Sequence, residues 1–232
     1  MNERRPTRVA IIDNSIDPRV YKPVEHWGGL LAVPWESFRA PERKLPDLGR
    51  FSHVILSGSE ASILDVEPWV EDEIALTSDA FMAGLSILGS CYGHQLLARA
   101  LAGPEYVGRC GEPEIGWIPV AVEHTGALLG PSRTAYSFSL HFDEVRGLPA
   151  DRFEVLAGSA NCPIQAFVVR ERNVWGLQIH PEIDIPTARA LLEGVVATRG
   201  RGWNLCLEAL KTVPRDSRLI DSIMPAFIGD SP

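Results

Sequence analysis

The chain has 232 residues, of which 45% are hydrophobic and 22% are charged, and its formal net charge is −8. This length suits one well-buried domain, and the composition is that of a globular protein rather than a disordered one. The acidic balance and the lack of a lysine- or arginine-rich run argue against nucleic acid and an anionic membrane surface as partners.

The N-terminus and the cysteines indicate a cellular compartment. Residues 1–8 are polar, and the sequence has no apolar stretch as long as a signal peptide or a membrane span, so we expect a cytoplasmic protein. Cys91, Cys110, Cys162 and Cys206 lie far apart, without the paired spacing of a zinc site. We therefore expect free thiols in a reducing compartment.

Short apolar runs alternate with amphipathic segments in the first hundred residues. Such runs are typical of a parallel sheet that is covered on both faces. Buried strands are predicted at residues 8–13, 30–34, 53–57 and 85–90, and helices at residues 18–27, 68–83 and 92–101.

After residue 115 the apolar segments become shorter, which predicts an antiparallel or mixed extension of the sheet. We see no domain boundary at this point. The predicted fold class is α/β, with an open mixed, mostly parallel sheet and helices on both faces. Further strands are predicted at residues 117–123, 135–141, 153–157, 164–170 and 174–180. Closing helices are predicted at residues 187–197 and 203–210, and a last amphipathic segment at residues 217–228.

A potential nucleophile, Cys91, stands between a predicted buried strand and a predicted helix, with Gly89 and Gly93 on either side. This spacing is typical of a nucleophile elbow, a strained turn that needs small flanking residues. The turn places Cys91 at a helix N-terminus, where free N–H groups stabilise a thiolate and later an oxyanion. The Tyr92 N–H is the natural oxyanion donor. The plain alternative is that Cys91 is a small buried residue in a tight connection.

A histidine and a carboxylate follow the apolar run at residues 174–179. His180 and Glu182 are two residues apart, so in extended backbone they point to the same face. A thiol with an ordinary pKa near ~8.5 needs an adjacent base or positive charge to attack at neutral pH. We assign His180 as that base and Glu182 as the group that orients it, which gives Cys91, His180 and Glu182 as a catalytic triad. Taken alone, either residue would more often serve in packing or capping.

A nucleophile followed by a distant His-x-Glu matches neither the order of α/β hydrolases nor that of papain-like proteases. Residues 89–98, GSCYGHQLLA, and residues 175–182, WGLQIHPE, strongly resemble the two signatures of class I glutamine amidotransferases. Residues 65–69, 113–117 and 141–143 resemble segments of the free-standing, GMP-synthase-like branch of that family.

The resemblance implies a flavodoxin-like class I glutamine amidotransferase fold. It covers about residues 8–197, which we take as the motif-bearing core. We expect a single domain over residues 1–232, with a C-terminal helical extension at residues 198–232.

The resemblance also implies roles for residues around the triad. It makes the N–H groups of Gly58 and Tyr92 the oxyanion hole. It assigns Gln95, and the backbone around Leu140 and His141, to the α-amino and α-carboxylate ends of glutamine.

The sequence departs from the family pattern at three places near this site. Ser90 replaces a β-branched residue before the nucleophile, and Leu140 replaces a common serine. Ser59 and Glu60 replace the Gly-Pro that commonly follows the oxyanion strand. For this reason we expect weak activity on free glutamine in the isolated chain.

The implied reaction releases ammonia, or an amine, and glutamate through a γ-glutamyl thioester on Cys91, without a metal or organic cofactor. Nothing in the 232 residues resembles an ATP-using synthase. Three interpretations stay open: a glutaminase that supplies a separate synthase in an amide transfer, a stand-alone γ-glutamyl hydrolase or peptidase, and a catalytically idle, partner-binding relative. The intact triad argues against the third.

The other histidines carry weaker signals. His141 and Asp143 have the spacing of metal ligands, but the sequence offers no third ligand at a useful spacing, so no metal is predicted. His26, His53 and His124 belong to no motif and are interpreted as structural.

Overall fold

The computed structural model describes residues 6–65, 67–123 and 128–229; the structural role predicted for His124 lies outside these residues. The strands are β1 (Val9–Asp13), β2 (Trp35–Arg39), β3 (His53–Leu56), β4 (Ser86–Ser90), β5 (Val107–Val122), β6 (Arg133–Val145), β7 (Phe153–Gly158), β8 (Ala166–Val169) and β9 (Val174–Leu177). The α-helices are α1 (Pro23–Gly28), α2 (Pro68–Met82), α3 (Tyr92–Leu101), α4 (Ile185–Thr198), α5 (Trp203–Lys211) and α6 (Ile220–Ile228).

The strands form one sheet in the order β2-β1-β3-β4-β9-β8-β7-β5-β6. The five neighbours from β2 to β9 pair in parallel, and the pairs from β9 to β6 are antiparallel. This arrangement confirms the α/β class and the open mixed sheet. It also places the ends of β3, β4 and β9 side by side.

Side chains along β1 show why both faces of the sheet need helices. Ala10 and Ile12 pack with α2 and α3, whereas Val9 and Ile11 pack with α1 and α6 on the other face. All four side chains are fully buried, because successive residues of a strand point to opposite faces. On the second face α6 buries Phe227, so part of the predicted C-terminal extension belongs to this core. The single-domain assignment itself stays a prediction.

Two elements near the N-terminus differ from their predictions. The strand predicted at residues 30–34 is wrong, because the paired edge strand is β2. The apolar Leu31 and Val33 pack from a loop against the core, while β2 exposes alternate residues. The helix predicted at residues 18–27 begins only at Pro23, whose missing N–H and fixed φ suit a first helical position.

Strands β5 and β6 are longer than predicted, and they pair as an antiparallel ribbon. The predicted segments, residues 117–123 and 135–141, cover only part of them. The register of the ribbon is irregular between Arg109 and Glu114, where glycine and proline weaken the sequence signal for a strand. No helix in the described part of the chain is long and apolar enough to cross a membrane.

A carboxyl group is buried inside the layer formed by α2 and α3. Glu73 is 0% exposed; its Oε2 accepts a hydrogen bond of 3.2 Å from the Tyr92 hydroxyl, and its Oε1 has no partner among the described residues. Burial raises the pKa of Glu73 from 4.5 to about 8, and the Tyr92 hydrogen bond opposes that rise. Between pH 4.5 and about pH 8, the Glu73 carboxyl is therefore protonated in the folded chain and ionised in the unfolded chain.

We expect Glu73→Gln to reduce the dependence of stability on pH. A raised folded-state pKa contributes stability that is complete below pH 4.5 and is lost as the pH rises to about 8. A tenfold difference in proton affinity between the folded and unfolded chains corresponds to about 1.4 kcal/mol in the free energy of unfolding. Denaturant unfolding at about pH 5 and about pH 9 should show a loss in the wild type that is smaller in Glu73→Gln.

The exposed Glu71 on the same helix offers the matched control, because Glu71→Gln should leave the pH dependence of the wild type intact. Equal loss of stability in Glu73→Gln and in the wild type over this range would show that Glu73 is not the group responsible.

Candidate active site

Cys91 occupies a strained turn between β4 and α3. Its φ of 50° and ψ of −104° lie outside the usual regions for a residue with a side chain, and its N–H donates to the Leu177 carbonyl at 2.7 Å. A Cβ on Gly89 would collide with the Gly93 carbonyl, and a Cβ on Gly93 would collide with the carbonyl of Leu56. The elbow therefore requires both glycines, as the sequence pattern indicates.

His180 and Glu182 follow β9 and form a buried pair. The His180 ring Nδ1 lies 2.8 Å from Glu182 Oε1, and the backbone N–H of His180 donates to the Phe138 carbonyl at 2.9 Å. Burial by itself would lower the pKa of His180, but the charges of Cys91 and Glu182, and hydrogen bonds to both, raise it to about 10. A charged imidazole beside Cys91 can donate a proton to a leaving group.

Two hydroxyl groups support the Glu182 carboxylate. The Ser90 Oγ donates to Glu182 Oε1 at 3.2 Å, and the Tyr21 hydroxyl donates to the same oxygen at 3.4 Å. Burial, together with the charge of Glu182, raises the pKa of Tyr21 well above its usual range, so this hydroxyl stays a donor. Sequence reasoning missed both contacts. Ser90 is adjacent to the nucleophile, which was a usable signal, whereas the Tyr21 loop carries no motif.

Two backbone donors lie next to the Cys91–His180 pair. Within the described residues, the N–H groups of Gly58 and Tyr92 have no hydrogen-bond partner. Gly58 approaches the pair closely, because a Cβ built on it would lie 2.9 Å from His180 Cε1 and 2.8 Å from the Tyr21 hydroxyl. Free N–H groups at this place have the chemistry that an oxyanion requires.

The departure at Ser59 and Glu60 produces a link between two loops. The Glu60 carboxylate accepts the N–H groups of Ile16 at 2.8 Å and Asp17 at 3.3 Å. Burial raises the pKa of Glu60, although these backbone hydrogen bonds oppose the rise. The loop that carries Gly58 is thereby attached to the loop that precedes Tyr21.

A cleft of about 280 Å³ lies over Cys91. The structure brings together the site residues predicted from sequence: most of them line this cleft, Glu182 lies behind His180, and Gly58 lies beside it. The cleft is lined by Val20, Tyr21, Ser59, Glu60, Ala61, Cys91, Tyr92, Gln95, Phe138, Leu140, His141, Phe142, Asp143, His180, Ile183, Leu191, Val195, Gly200 and Arg201.

The Gln95 amide is oriented by the protein itself. Its Nε2 donates to the Asp143 carbonyl at 2.8 Å and to Gln178 Oε1 at 3.1 Å. Because both amide hydrogens are used, the Gln95 Oε1 is left as an acceptor, and Gln95 lines the cleft. An acceptor in that position suits an ammonium group.

The His141 ring is buried and held by neighbouring groups. Its Nε2 lies 3.2 Å from Glu114 Oε2, and its Nδ1 lies 3.0 Å from the Asp143 carbonyl. The backbone of Leu140, in contrast, faces the nucleophile, since the Leu140 carbonyl lies 3.8 Å from Cys91 Sγ. The backbone at Leu140, rather than the His141 ring, is therefore the part of this segment that is available to a ligand.

The fold supplies His141 with neighbours that the sequence spacing did not indicate. Ligand atoms of Glu114, His141 and Cys162 lie within 4.8 Å of one another, so these side chains could hold a metal ion. The Glu114 carboxylate, however, already accepts hydrogen bonds from Ser159 at 2.7 Å and from Gln165. A metal ion would have to replace these bonds, so the trio fits a buried hydrogen-bond network better.

The chain thus combines an open α/β sheet with a strand-to-helix elbow that presents Cys91 to the buried His180–Glu182 pair. Residues 11–193 match the family model described as glutamine amidotransferase class-I. The chain therefore belongs to the class I glutamine amidotransferase family, as the two motifs predicted.

Two curated relatives show which characterised proteins the chain resembles in sequence. The chain is 34% identical over 154 residues to a GMP synthase (glutamine-hydrolyzing) of Lactococcus lactis subsp. lactis, a match that covers 66% of this chain and 28% of that protein. It is 31% identical over 146 residues to a subunit of the GMP synthase (glutamine-hydrolyzing) of Sulfolobus acidocaldarius, which covers 62% of this chain and 73% of that subunit. The match thus spans little more than a quarter of the L. lactis protein and most of the S. acidocaldarius one.

Solved structures agree on the fold. A glutamine amidotransferase from Thermotoga maritima superposes with a TM-score of 0.76 at 22% identity, over 97% of this chain and 99% of that one. A glutamine amidotransferase from Methylobacillus flagellatus gives a TM-score of 0.74 at 22% identity, over 97% and 92% of the two chains. At this level of identity the likeness concerns the fold alone.

Proposed function

We propose that the chain is a cysteine-dependent glutamine amidotransferase-like hydrolase, which releases ammonia from the side chain of glutamine through a γ-glutamyl thioester on Cys91. The observation that carries the proposal is the positive-φ elbow that presents Cys91 to His180, which is itself bound to Glu182 at 2.8 Å. Family membership supports the same chemistry.

The geometry supports the following sequence of steps. The Cys91 thiolate attacks the amide carbon, and the N–H groups of Gly58 and Tyr92 stabilise the oxyanion. His180 gives its proton to the departing nitrogen, so the C–N bond breaks, ammonia leaves and the thioester remains. His180 then takes a proton from water, and the resulting hydroxide attacks the thioester carbonyl. The C–S bond breaks, the glutamyl carboxylic acid leaves and gives its proton to ammonia, and the Cys91 thiolate beside the charged His180 is restored. Every group in these steps comes from the chain, its substrate or water, so no metal or organic cofactor is required.

The use of the released ammonia is the second part of the proposal. The L. lactis relative is named a glutamine-hydrolyzing GMP synthase. The S. acidocaldarius relative is named as one subunit of such an enzyme. We infer that a separate synthase chain accepts the ammonia.

One observation favours a second candidate function, a stand-alone γ-glutamyl hydrolase or peptidase. The cleft beside His180 is bordered by Tyr21 and Phe138, whose ring centroids each lie 6.1 Å from the His180 ring, and Ile183 packs with them. An apolar surface on the side where the leaving group departs suits an amine larger than ammonia.

We expect the isolated chain to hydrolyse free glutamine weakly. Ser59 and Glu60 alter the loop after Gly58, and a misaligned oxyanion donor costs roughly 10²–10³-fold in turnover. Release of glutamate should be measured from glutamine, glutathione and other γ-glutamyl peptides under identical conditions, with Cys91→Ala as the blank.

Rapid hydrolysis of free glutamine by the lone chain would refute the weak-activity prediction. Rapid hydrolysis of the peptides alone would favour the second candidate function. Lack of hydrolysis of every substrate would point to activation by the separate synthase chain. Addition of a candidate synthase would then be the next measurement.

A further inference from the structure

We propose that Arg201 binds the α-carboxylate of the γ-glutamyl substrate and so determines specificity for a free α-carboxylate. The inference rests on the proposed function, and it concerns a residue outside the motif-bearing core. Among the described residues that line the cleft, Arg201 is the one lysine or arginine. The triad does not use it.

The Arg201 guanidinium is positioned by an aromatic ring and has its donors free. It lies 4.2 Å from the centroid of Phe142, and within the described residues it forms no ion pair or side-chain hydrogen bond. Gly202 has a φ of 75°, and a Cβ on it would lie 2.5 Å from the Phe142 ring. This close approach lets the loop between α4 and α5 place Arg201 on Phe142. A stacked guanidinium presents a planar set of donors that matches a carboxylate.

Strand β6 gives the order of the groups across the cleft. The Phe138 carbonyl accepts a hydrogen bond from the backbone N–H of His180, and the Leu140 carbonyl lies 3.8 Å from Cys91 Sγ. Arg201 lies over Phe142, two residues farther along the same strand. Side chains two apart share a face of a strand, and all three of these β6 residues line the cleft.

The spacing along β6 fits the length of glutamine. With a rise of about 3.4 Å per residue, Phe142 lies about 7 Å from Leu140 on the side away from His180. The α-carboxylate of glutamine is four bonds, or about 5 Å, from its amide carbon, and the long arginine side chain covers the remaining distance. Since His180 protonates the leaving nitrogen, the leaving group lies at the Phe138 end. The carboxylate at the Arg201 end therefore belongs to the glutamyl part.

The neighbouring polar groups complete the subsite. Gln95 lines the cleft and its Nε2 donates to the Asp143 carbonyl and to Gln178, so its Oε1 is the amide atom left to accept from the α-ammonium group. The Asp143 carboxylate is already held by Arg109 at 2.8 Å and by Ser62 at 2.6 Å, so it does not pair with Arg201. Arg201 and Gln95 thus supply a donor and an acceptor for the two α-substituents.

The test compares Arg201→Gln with the wild type on L-glutamine and on its α-amide, which lacks the carboxylate. A charged hydrogen-bonded contact corresponds to roughly a 10- to 100-fold change in binding. We expect KM for glutamine to rise by that factor with little change in kcat, and KM for the α-amide to stay the same. Arg199→Gln is the matched control, because Arg199 lies over Trp203 and outside the cleft lining.

A second measurement does not need turnover. Calorimetric binding of L-glutamine to Cys91→Ala should weaken when Arg201→Gln is added and should be unchanged when Arg199→Gln is added. Absence of hydrolysis in the wild type counts against the proposed function and leaves this binding measurement intact. Unchanged glutamine binding in the Arg201→Gln background, absence of glutamine binding, or an equal loss for the α-amide overturns the role of Arg201.

Discussion

Replacing Cys91 with alanine is expected to abolish hydrolysis of every γ-glutamyl substrate while the chain stays folded. Loss of the nucleophile from a catalytic triad costs roughly 10⁶-fold in turnover. The fold should survive because alanine carries the same Cβ as cysteine, so the strain at a φ of 50° is unchanged. Glutamate release measures the first expectation, and circular dichroism with thermal unfolding measures the second.

A second cysteine offers the control for this variant. Cys110 is partly exposed and does not line the cleft, so Cys110→Ala should keep the activity of the wild type. Substantial hydrolysis by Cys91→Ala, above the level of a mock preparation, would remove Cys91 from the mechanism.

His180→Ala should lose about as much activity as Cys91→Ala, and Glu182→Gln should lose less. His180 serves in both proton transfers, so its loss costs roughly 10⁶-fold, whereas loss of the orienting carboxylate costs roughly 10⁴-fold in comparable triads. In Glu182→Gln an amide oxygen can still accept from His180, but the charge that stabilises the imidazolium is gone. Steady-state kinetics on the best substrate of the panel give this ranking.

Asp184 provides the matched carboxylate, two residues beyond Glu182. It caps α4 by accepting the Thr187 N–H at 2.9 Å, and asparagine caps a helix about as well as aspartate. Asp184→Asn should therefore keep full activity. If Glu182→Gln is as active as Asp184→Asn, the third member of the triad lies elsewhere.

The elbow at Cys91 and the His180–Glu182 pair beside it could be placed from the sequence because their signals are local, while the catalytic roles of these residues stay a prediction. Two glycines around Cys91 specify a tight strand-to-helix turn, and the spacing of His180 and Glu182 places both on one face. The parallel strands β1, β3, β4 and β9 were equally clear, since strands buried on both faces are continuous apolar runs.

The parts that sequence reasoning missed depend on contacts between distant segments. Tyr21 reaches Glu182 across 161 positions of the chain, and Arg201 reaches Phe142 from a loop that has no motif. The error at β2 has a different cause. An apolar run at residues 30–34 suggested a strand, but those residues pack from a loop and the edge strand that follows them is amphipathic.

The central claim is that Cys91 is the nucleophile toward a glutamine side chain, and covalent labelling tests it most directly. The chain should be treated with a glutamine-like diazo-ketone, digested and mapped by mass spectrometry. Burial raises the pKa of Cys110 and of Cys162 to about 12, and it also raises the pKa of Cys206, so these thiols stay protonated and unreactive near neutral pH. We expect one adduct, on Cys91, which excess glutamine suppresses. An adduct on Cys110, Cys162 or Cys206 with Cys91 unmodified would contradict it.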